Sequence, residues 1–310
     1  PHHTHLGGQT LDQILARPQI HISSPMEIIG MLFGRAGYET QLSDKGDFQR
    51  QASSRVGSFE KLCELLRQDG FRELLDRYVE ISDSDARDGF VYLRQNRRAY
   101  ACFDGIEDAI GEHTSRLIDE MIQLGVLYRG LIFQCQFCRN ADWYDLSSLS
   151  QSFECSRCGQ EQKFQRGHWK QPPAGPEWFF KLDEIIYQFY DQNTHVTSLA
   201  LGYLEDNANS FIHVPEIELH TGQVSGNPDD EVDICAVIDG SLVIGEASVS
   251  ANKDESDVDK YLRLADEVDV RTVVFATLAE SWSPDLQRYA AEQSADTLQT
   301  CEFLTRRDLL

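Results

Sequence analysis

Apolar residues recurring at i, i+3 and i+4 mark the first part of the chain, residues 10–80, as helical. The pattern is clearest in SFEKLCELLRQDG (58–70) and FRELLDRYVE (71–80), with Gly70 reading as a helix stop between them. The texture then changes. GFVYLRQNRRAYACF (89–103) reads as a strand pair, HTSRLIDEMIQLG (113–125) as a helix ended by Gly125, and VLYRGLIFQC (126–135) as a strand. Helix, short strands and the basic residues Arg94, Arg97 and Arg98 suggest a winged-helix-like module, although the same arginines also suit a solvated edge. Three prolines and a glycine within QPPAGPEW (171–178) mark a linker.

Beyond the linker, helices are predicted at about 177–190 and 196–207, followed by a strand, FIHVPEIELH (211–220). After the loop TGQVSGNPDD come two strands, EVDICAVI (231–238) and SLVIGEASVS (241–250). A helix at about 255–268, the strand RTVVFATL (271–278), a helix near 284–294 and the short strand CEFL (301–304) complete the chain. The order is αβββαβ with additions, a sheet with helices packed on it. The expected organisation is a tag-like or disordered end at 1–9 and a mostly helical, winged-helix-like domain at 10–130. A small module at 131–170 and an α/β domain at 177–310 follow, which makes an α+β and α/β multidomain protein.

Composition changes this picture little: 41% of the 310 residues are hydrophobic, enough for real cores. No apolar run approaches the roughly 20 residues of a membrane span, so a soluble protein without membrane partners is expected. Charge changes it more. The net charge of −23 opposes any nucleic-acid partner, because phosphate binding asks for a basic surface. Residues 91–170 balance at ten acidic against ten basic, whereas 171–310 hold 27 acidic against 8 basic residues, a net of −19. DNA contact therefore belongs to the neutral middle, or depends on metal ions and partners in the acidic part.

The clearest candidate chemistry is Cys135/Cys138 and Cys155/Cys158, two CxxC pairs with sixteen residues between them, the ligand spacing of a zinc ribbon. Each pair sits on a short turn, so two β-hairpin knuckles can offer four thiolates to one Zn²⁺. A closed four-thiolate site leaves no position for water, so this zinc is structural. The remaining cysteines, Cys63, Cys102, Cys235 and Cys301, are scattered, and no secretory segment is visible, which suits a reducing, cytoplasmic compartment better than disulfides. Phe133, Phe137, Trp143, Tyr144, Phe153 and Phe164 read first as the ribbon's own small core and second as a contact surface. His195, His213 and His220 stand alone, although His220 shares a strand face with Glu216 and Glu218. GxGxxG, Walker, HExxH and GxSxG patterns are absent.

Asp239-Gly240 between two apolar runs signals a type I′ hairpin and fixes its register. With Ile238 opposite Ser241, Cys235 faces Ile244, Asp233 faces Glu246 and Glu231 faces Ser248. Alternation then places Asp233, Cys235 and Val237 on one face with Leu242, Ile244, Glu246 and Ser248. Two carboxylates opposite each other repel, and a divalent cation such as Mg²⁺ would offset the cost. Solvated acids on an exposed face are the plainer alternative.

Asp233, a hairpin, then Glu246-Ala247 at the end of the next strand within an αβββαβ order resembles the PD-(D/E)xK, or restriction-endonuclease-like, nuclease superfamily over about residues 195–305. The resemblance implies that Asp233 and Glu246 bind Mg²⁺ or Mn²⁺, that water is activated for attack on a phosphodiester, and that an upstream glutamate assists. Glu218, Glu216 and Glu205 are the candidates for that glutamate. The family pattern places a lysine two residues after the glutamate, where this chain has Ser248. Lys253, just past the strand, and Lys260, on the next helix, are the substitutes within reach. The implied function is a metal-dependent endonuclease, with nucleic acid, DNA first, as substrate, in prokaryotic defence or restriction. The alternative implied by Ser248 and the acidity is a degenerate nuclease-fold subunit that binds nucleic acid or protein partners in a larger assembly. A zinc-ribbon adaptor for protein partners is a third reading.

Overall fold

The structure, a computed structural model, describes residues 23–81, 89–111, 114–168, 177–222, 226–295 and 297–310. The expected end at 1–9 and most of the proline-rich linker lie outside these residues. Among the described residues the chain is a mixed α/β protein with eleven helices and four sheets. No helix among them is long and apolar enough to cross a membrane.

The first described helix, α1 (Pro25–Gly34), starts at a capping box in which Ser24 and Glu27 satisfy each other's backbone N–H groups, with proline at the first helical position. Strand β1 (Glu39–Leu42) and helix α2 (Asp44–Val56) follow, then α3 (Phe59–Leu66) and α4 (Asp69–Glu80). The expected stop at Gly70 falls four residues beyond the last helical residue. Helix α3 already ends at Leu66, where Arg67 N–H closes on Cys63 O, and Gly70 sits in the first turn of α4. A four-residue strand such as ETQL carries no apolar alternation, which is why the sequence reads as helix there.

Where the sequence suggests a winged-helix-like module, β2 (Phe90–Leu93), β3 (Arg98–Cys102), α5 (Phe103–Ile110), α6 (Thr114–Gln123), β4 (Leu127–Gln134) and β5 (Ala141–Asp145) follow one another. β6 (Ser152–Glu154) and β7 (Glu161–Lys163) form a two-stranded ribbon of their own. Strand β8 (Phe179–Leu182) returns to the larger sheet, whose order is β2-β3-β8-β4-β5, antiparallel throughout. It occupies the start of the segment expected to be helical. The helix, α7 (Glu184–Asp191), begins only after Asp183, whose carboxylate accepts from the N–H groups of Ile185 and Ile186.

The C-terminal elements follow the expected order: α8 (Thr194–Asp206), β9 (Phe211–Val214), β10 (Ile217–His220), β11 (Asp230–Val232), β12 (Ile234–Ile238), β13 (Ser241–Ser248), α9 (Glu255–Glu267), β14 (Thr272–Thr277), α10 (Pro284–Ser294), β15 (Thr300–Leu304) and α11 (Arg306–Leu309). The mixed sheet reads β15-β14-β13-β12-β9, with β13, β14 and β15 parallel and the β12–β13 hairpin antiparallel. The hairpin turns at Asp239 (φ 49°) and Gly240 (φ 83°), the two left-handed residues of a type I′ turn, and pairs Ile238 with Ser241 and Cys235 with Ile244 as the sequence dictates. Ile234, Ala236, Val243, Val274 and Ala276 face the core formed with α2, α3, α4, α7 and α8. Cys235, Ile244, Val273 and Phe275 face the opposite core with α1, α9 and α10. This two-residue alternation places Asp233 and Glu246 on the α9 side.

Two predicted strands are each split in two. Pro215, which has no N–H for the ladder, separates β9 from β10, and Asp233 separates β11 from β12. At the first break the chain leaves the five-stranded sheet for a second one, ordered β1-β10-β11, and at the other it returns. Val214 pairs with Cys235 on one side of the break and Ile217 with Val232 on the other. Glu231 consequently pairs with Glu218 and not with Ser248, whose strand neighbour is Thr277. Hydrogen bonding also crosses the expected domain boundaries: β1 pairs with β10 over four residues, and one apolar core runs from Ala52 to Leu309.

Candidate active site and metal centre

The split strands determine what stands at the sheet junction. Glu216 occupies the break between β9 and β10, Asp233 the break between β11 and β12, and Glu246 lies on β13 beside them. Asp233 Oδ2 accepts from Ala247 N–H at 2.9 Å, so the carboxylate bridges the gap where regular pairing stops. Glu216, 2% exposed, accepts from Ser43 Oγ at 2.8 Å and from Lys45 Nζ at 3.3 Å, while its own carbonyl accepts from Ser43 N–H. Glu246 accepts from Lys253 Nζ at 2.5 Å and from Tyr261 Oη at 2.8 Å.

Burial, followed by the Glu246 and Glu216 charges, pushes the Asp233 carboxyl well above the usual carboxylate range. Tyr261, fully buried and facing Glu246 and Asp233, is likewise raised well above its ordinary value and stays a donor. Burial opposes the charge on Lys253 and Lys45, but Glu246 outweighs it for the first and Asp233 with Glu216 for the second, so both ammonium groups are held above their ordinary value. The carboxylates are recessed and the lysines more open. Side-chain exposure is 2% for Glu216 and 16% for Glu246, against 22% for Lys253 and 38% for Lys45.

The other sequence candidates stand elsewhere. Glu218 is taken by Gln41 Nε2 at 2.5 Å and His220 Nε2 at 3.4 Å. Glu205, on α8, lies among Glu60, Asp206 and Arg67. Lys260 reaches Glu231 O at 3.2 Å and Asp230 at 3.7 Å instead of Glu246. Ser248 donates to Ser250 O at 2.7 Å. Pro215 was the signal that could have singled out Glu216, since it breaks the strand at that point. Lys45 carried no signal, because it lies 171 residues from Glu216 in sequence.

Gly46 explains how α2 comes so close. A Cβ there would stand 2.1 Å from Glu216 O, so only glycine lets the first turn of α2 rest on this backbone.

The four cysteines of the ribbon meet at the turns of the β4–β5 and β6–β7 hairpins. Arg139 N–H bonds Cys135 O and Gly159 N–H bonds Cys155 O, with Arg139 (φ 62°) and Gly159 (φ 68°) in the same left-handed conformation. All four sulfurs lie within 4.8 Å of one another. Cys135 and Cys158 are 3.7 Å apart and Cys138 and Cys155 3.6 Å, close to the edge of about 3.8 Å that a tetrahedral ion with sulfur ligands at about 2.3 Å requires. Cys138 N–H and Gln162 Nε2 both donate to Cys135 Sγ, which favours a thiolate. The donor set fits a metal such as zinc. Around it Phe133, Tyr144, Phe153 and Phe164 pack with ring centroids 4.8–5.6 Å apart. Two of the expected core aromatics behave otherwise: Trp143 stacks on Tyr100, and Phe137 is 68% exposed.

Among the described residues only the cysteines bring three or more ligand atoms within 4.8 Å of one another. The junction offers its carboxylates as close neighbours of Asp233. That donor set suits an ion such as Mg²⁺, which takes one or two carboxylates and completes its shell with water and phosphate.

No protein-family model matches the chain, and no curated protein matches it. Among solved structures, protein VC1899 from Vibrio cholerae aligns with a TM-score of 0.37 at 12% identity, over 91% of this chain and 58% of that one. Can2 from Sulfobacillus thermosulfidooxidans, solved in complex with cyclic tetra-adenylate, aligns with a TM-score of 0.33 at 10% identity, over 90% of this chain and 57% of that one. The chain thus spans less than two thirds of the length of either.

Proposed function

We propose that the chain is a divalent-metal-dependent nuclease of the PD-(D/E)xK kind, with DNA as its first substrate, and that its ribbon is a structural zinc site. The observation that carries this reading is the meeting of Glu216, Asp233 and Glu246 at a sheet junction with Lys253 on Glu246. Three recessed carboxylates held together repel one another, and neighbouring hydrogen bonds aim them rather than disperse them. Asp233 and Glu246 would hold Mg²⁺ or Mn²⁺, assisted by Glu216. A divalent cation held there would polarise a phosphoryl oxygen and make a bound water more acidic.

The protein groups have separate tasks. Ala247 N–H fixes Asp233, Ser43 fixes Glu216, and Tyr261 fixes Glu246 through one oxygen while Lys253 engages the other. Lys253 takes the part of the lysine missing at 248, since only its ammonium group must arrive at the site. It orients the attacking water. In the hydrolysis a water oxygen bonds to phosphorus and gives up a proton to solvent, the bond to the leaving sugar oxygen breaks, and that oxygen takes up a proton from solvent.

Ser248 supports the second reading, a degenerate nuclease fold that binds without cutting. Cleavage of labelled duplex DNA, single-stranded DNA and RNA in Mg²⁺ or Mn²⁺, beside Asp233→Ala, separates the two. The nuclease reading predicts cutting that needs the metal and falls by at least a hundredfold in the variant, whose fold is checked by circular dichroism. Cutting by Asp233→Ala at the parent rate would overturn the assignment, and no cutting by folded, zinc-loaded parent would favour the degenerate fold.

A further inference from the structure

Lys45 is unexplained by the reading above. It belongs to the first turn of α2, far outside the nuclease-like strands, yet it stands among their carboxylates. Its position is fixed from three directions: β1 pairs with β10 immediately before it, Ser43 bonds Glu216 through both backbone and hydroxyl, and Gly46 lies against the Glu216 carbonyl. The two other candidates for a substrate-facing cation are committed. Lys253 is held by Glu246 and lies 4.0 Å from Asp257, and Lys260 is held by Glu231 O and Asp230. Lys45 has Glu216 as its ion-pair partner among the described residues and is the most exposed of the three lysines, at 38%.

Charge counting assigns it a task. Glu216, Asp233 and Glu246 with Lys45, Lys253 and one divalent cation carry one net positive charge, the complement of a phosphodiester's single negative charge. Without Lys45 that surplus vanishes, in a protein already at −23.

Resting on the nuclease reading, we infer that Lys45 is the substrate-facing cation of this site, contacting a non-bridging oxygen of the scissile phosphate, while Lys253 stays with Glu246 and the attacking water. The site is therefore composite: the sheet junction supplies the ligands, and the segment from β1 to α2 supplies the charge that holds the substrate.

The test uses the full chain with Lys45→Ala, Lys45→Gln and Lys45→Arg. Three readouts are taken: Mn²⁺ affinity, binding of a labelled DNA duplex in Ca²⁺, and cleavage of that duplex in Mg²⁺. Lys45→Ala and Lys45→Gln are expected to lose about a hundredfold in kcat, to bind the duplex about tenfold more weakly, and to keep Mn²⁺ affinity within about threefold. Lys45→Arg is expected to recover most of both losses. Parental cleavage and duplex binding by Lys45→Gln would overturn the inference. So would loss of Mn²⁺ binding in Lys45→Ala, since Lys45 would then only position Glu216. If the parent binds Mn²⁺ and, through Lys45, the duplex but never cuts, the nuclease reading fails and the phosphate contact stands. If the parent binds no duplex, the inference fails.

Discussion

Glu216 and Asp233 sit where two strands each leave one sheet for another, and their side chains take over where the backbone ladder stops. Such a position is useful because it frees a carboxylate from regular pairing while leaving it recessed among apolar residues. It also carries a cost, since Asp233 faces Glu246 and Glu216 without a full complement of cations. Asp233→Asn should therefore stabilise the metal-free protein by about 1 kcal/mol at neutral pH. The sign follows from linkage. A carboxyl raised in the fold gives up its proton more easily when unfolded, so its contribution is complete at low pH and is lost as pH rises through the folded value. The melting temperature of the variant minus that of the parent, measured in chelator, should widen as pH rises, and a constant or reversed difference would contradict this. At this scale the placement of Asp233, Glu246 and Lys253 as neighbours was legible, because Asp239-Gly240 fixes the hairpin and Lys253 follows just past its second strand. It left Glu216, Glu218 and Glu205 undistinguished, because the choice depends on the break at Pro215. Lys45 depends on a tertiary contact and was not legible.

Two kinds of element appear in the molecule, and they were legible to different degrees. The ribbon announced itself, since CxxC knuckles owe their geometry to a short turn and need little context. Its hairpins bury a small aromatic cluster and place Ser156 against Asp142, which in turn accepts from Asn96, so the ribbon is tied to the β2–β3 turn. Removal of the ion should loosen this element first, because four thiolates without a cation repel one another. Chelation or Cys135→Ser is expected to raise amide hydrogen exchange across 131–168 well before the C-terminal sheet responds, and unchanged exchange would argue against a structural metal. The longer elements with a full apolar face, α8, α9, β13 and β14, were equally legible. β1 and β8 were not, since four-residue strands show too little alternation and acquire their structure from the neighbours they pair with.

At the scale of the whole chain, sequence order suggests successive domains, but β1 and α2 complete the C-terminal sheet junction and β8 returns to the middle sheet beyond the proline-rich segment. The contrast between a neutral middle and an acidic C-terminal part was legible from counting. Its consequence was not, since it depends on which few cations reach the carboxylates. In a chain of net charge −23, the proposed approach to a phosphodiester would rest on local compensation by Lys45, Lys253 and a divalent ion. That ion can be tested without guessing a substrate. Zinc-loaded, otherwise metal-free protein should be titrated with Mn²⁺, and bound ions counted by the loss of the free Mn²⁺ spin-resonance signal, beside Asp233→Asn. One Mn²⁺ per chain in the parent and none in the variant is the predicted result. No binding by the parent, or undiminished binding by Asp233→Asn, would contradict a metal site at Glu216, Asp233 and Glu246.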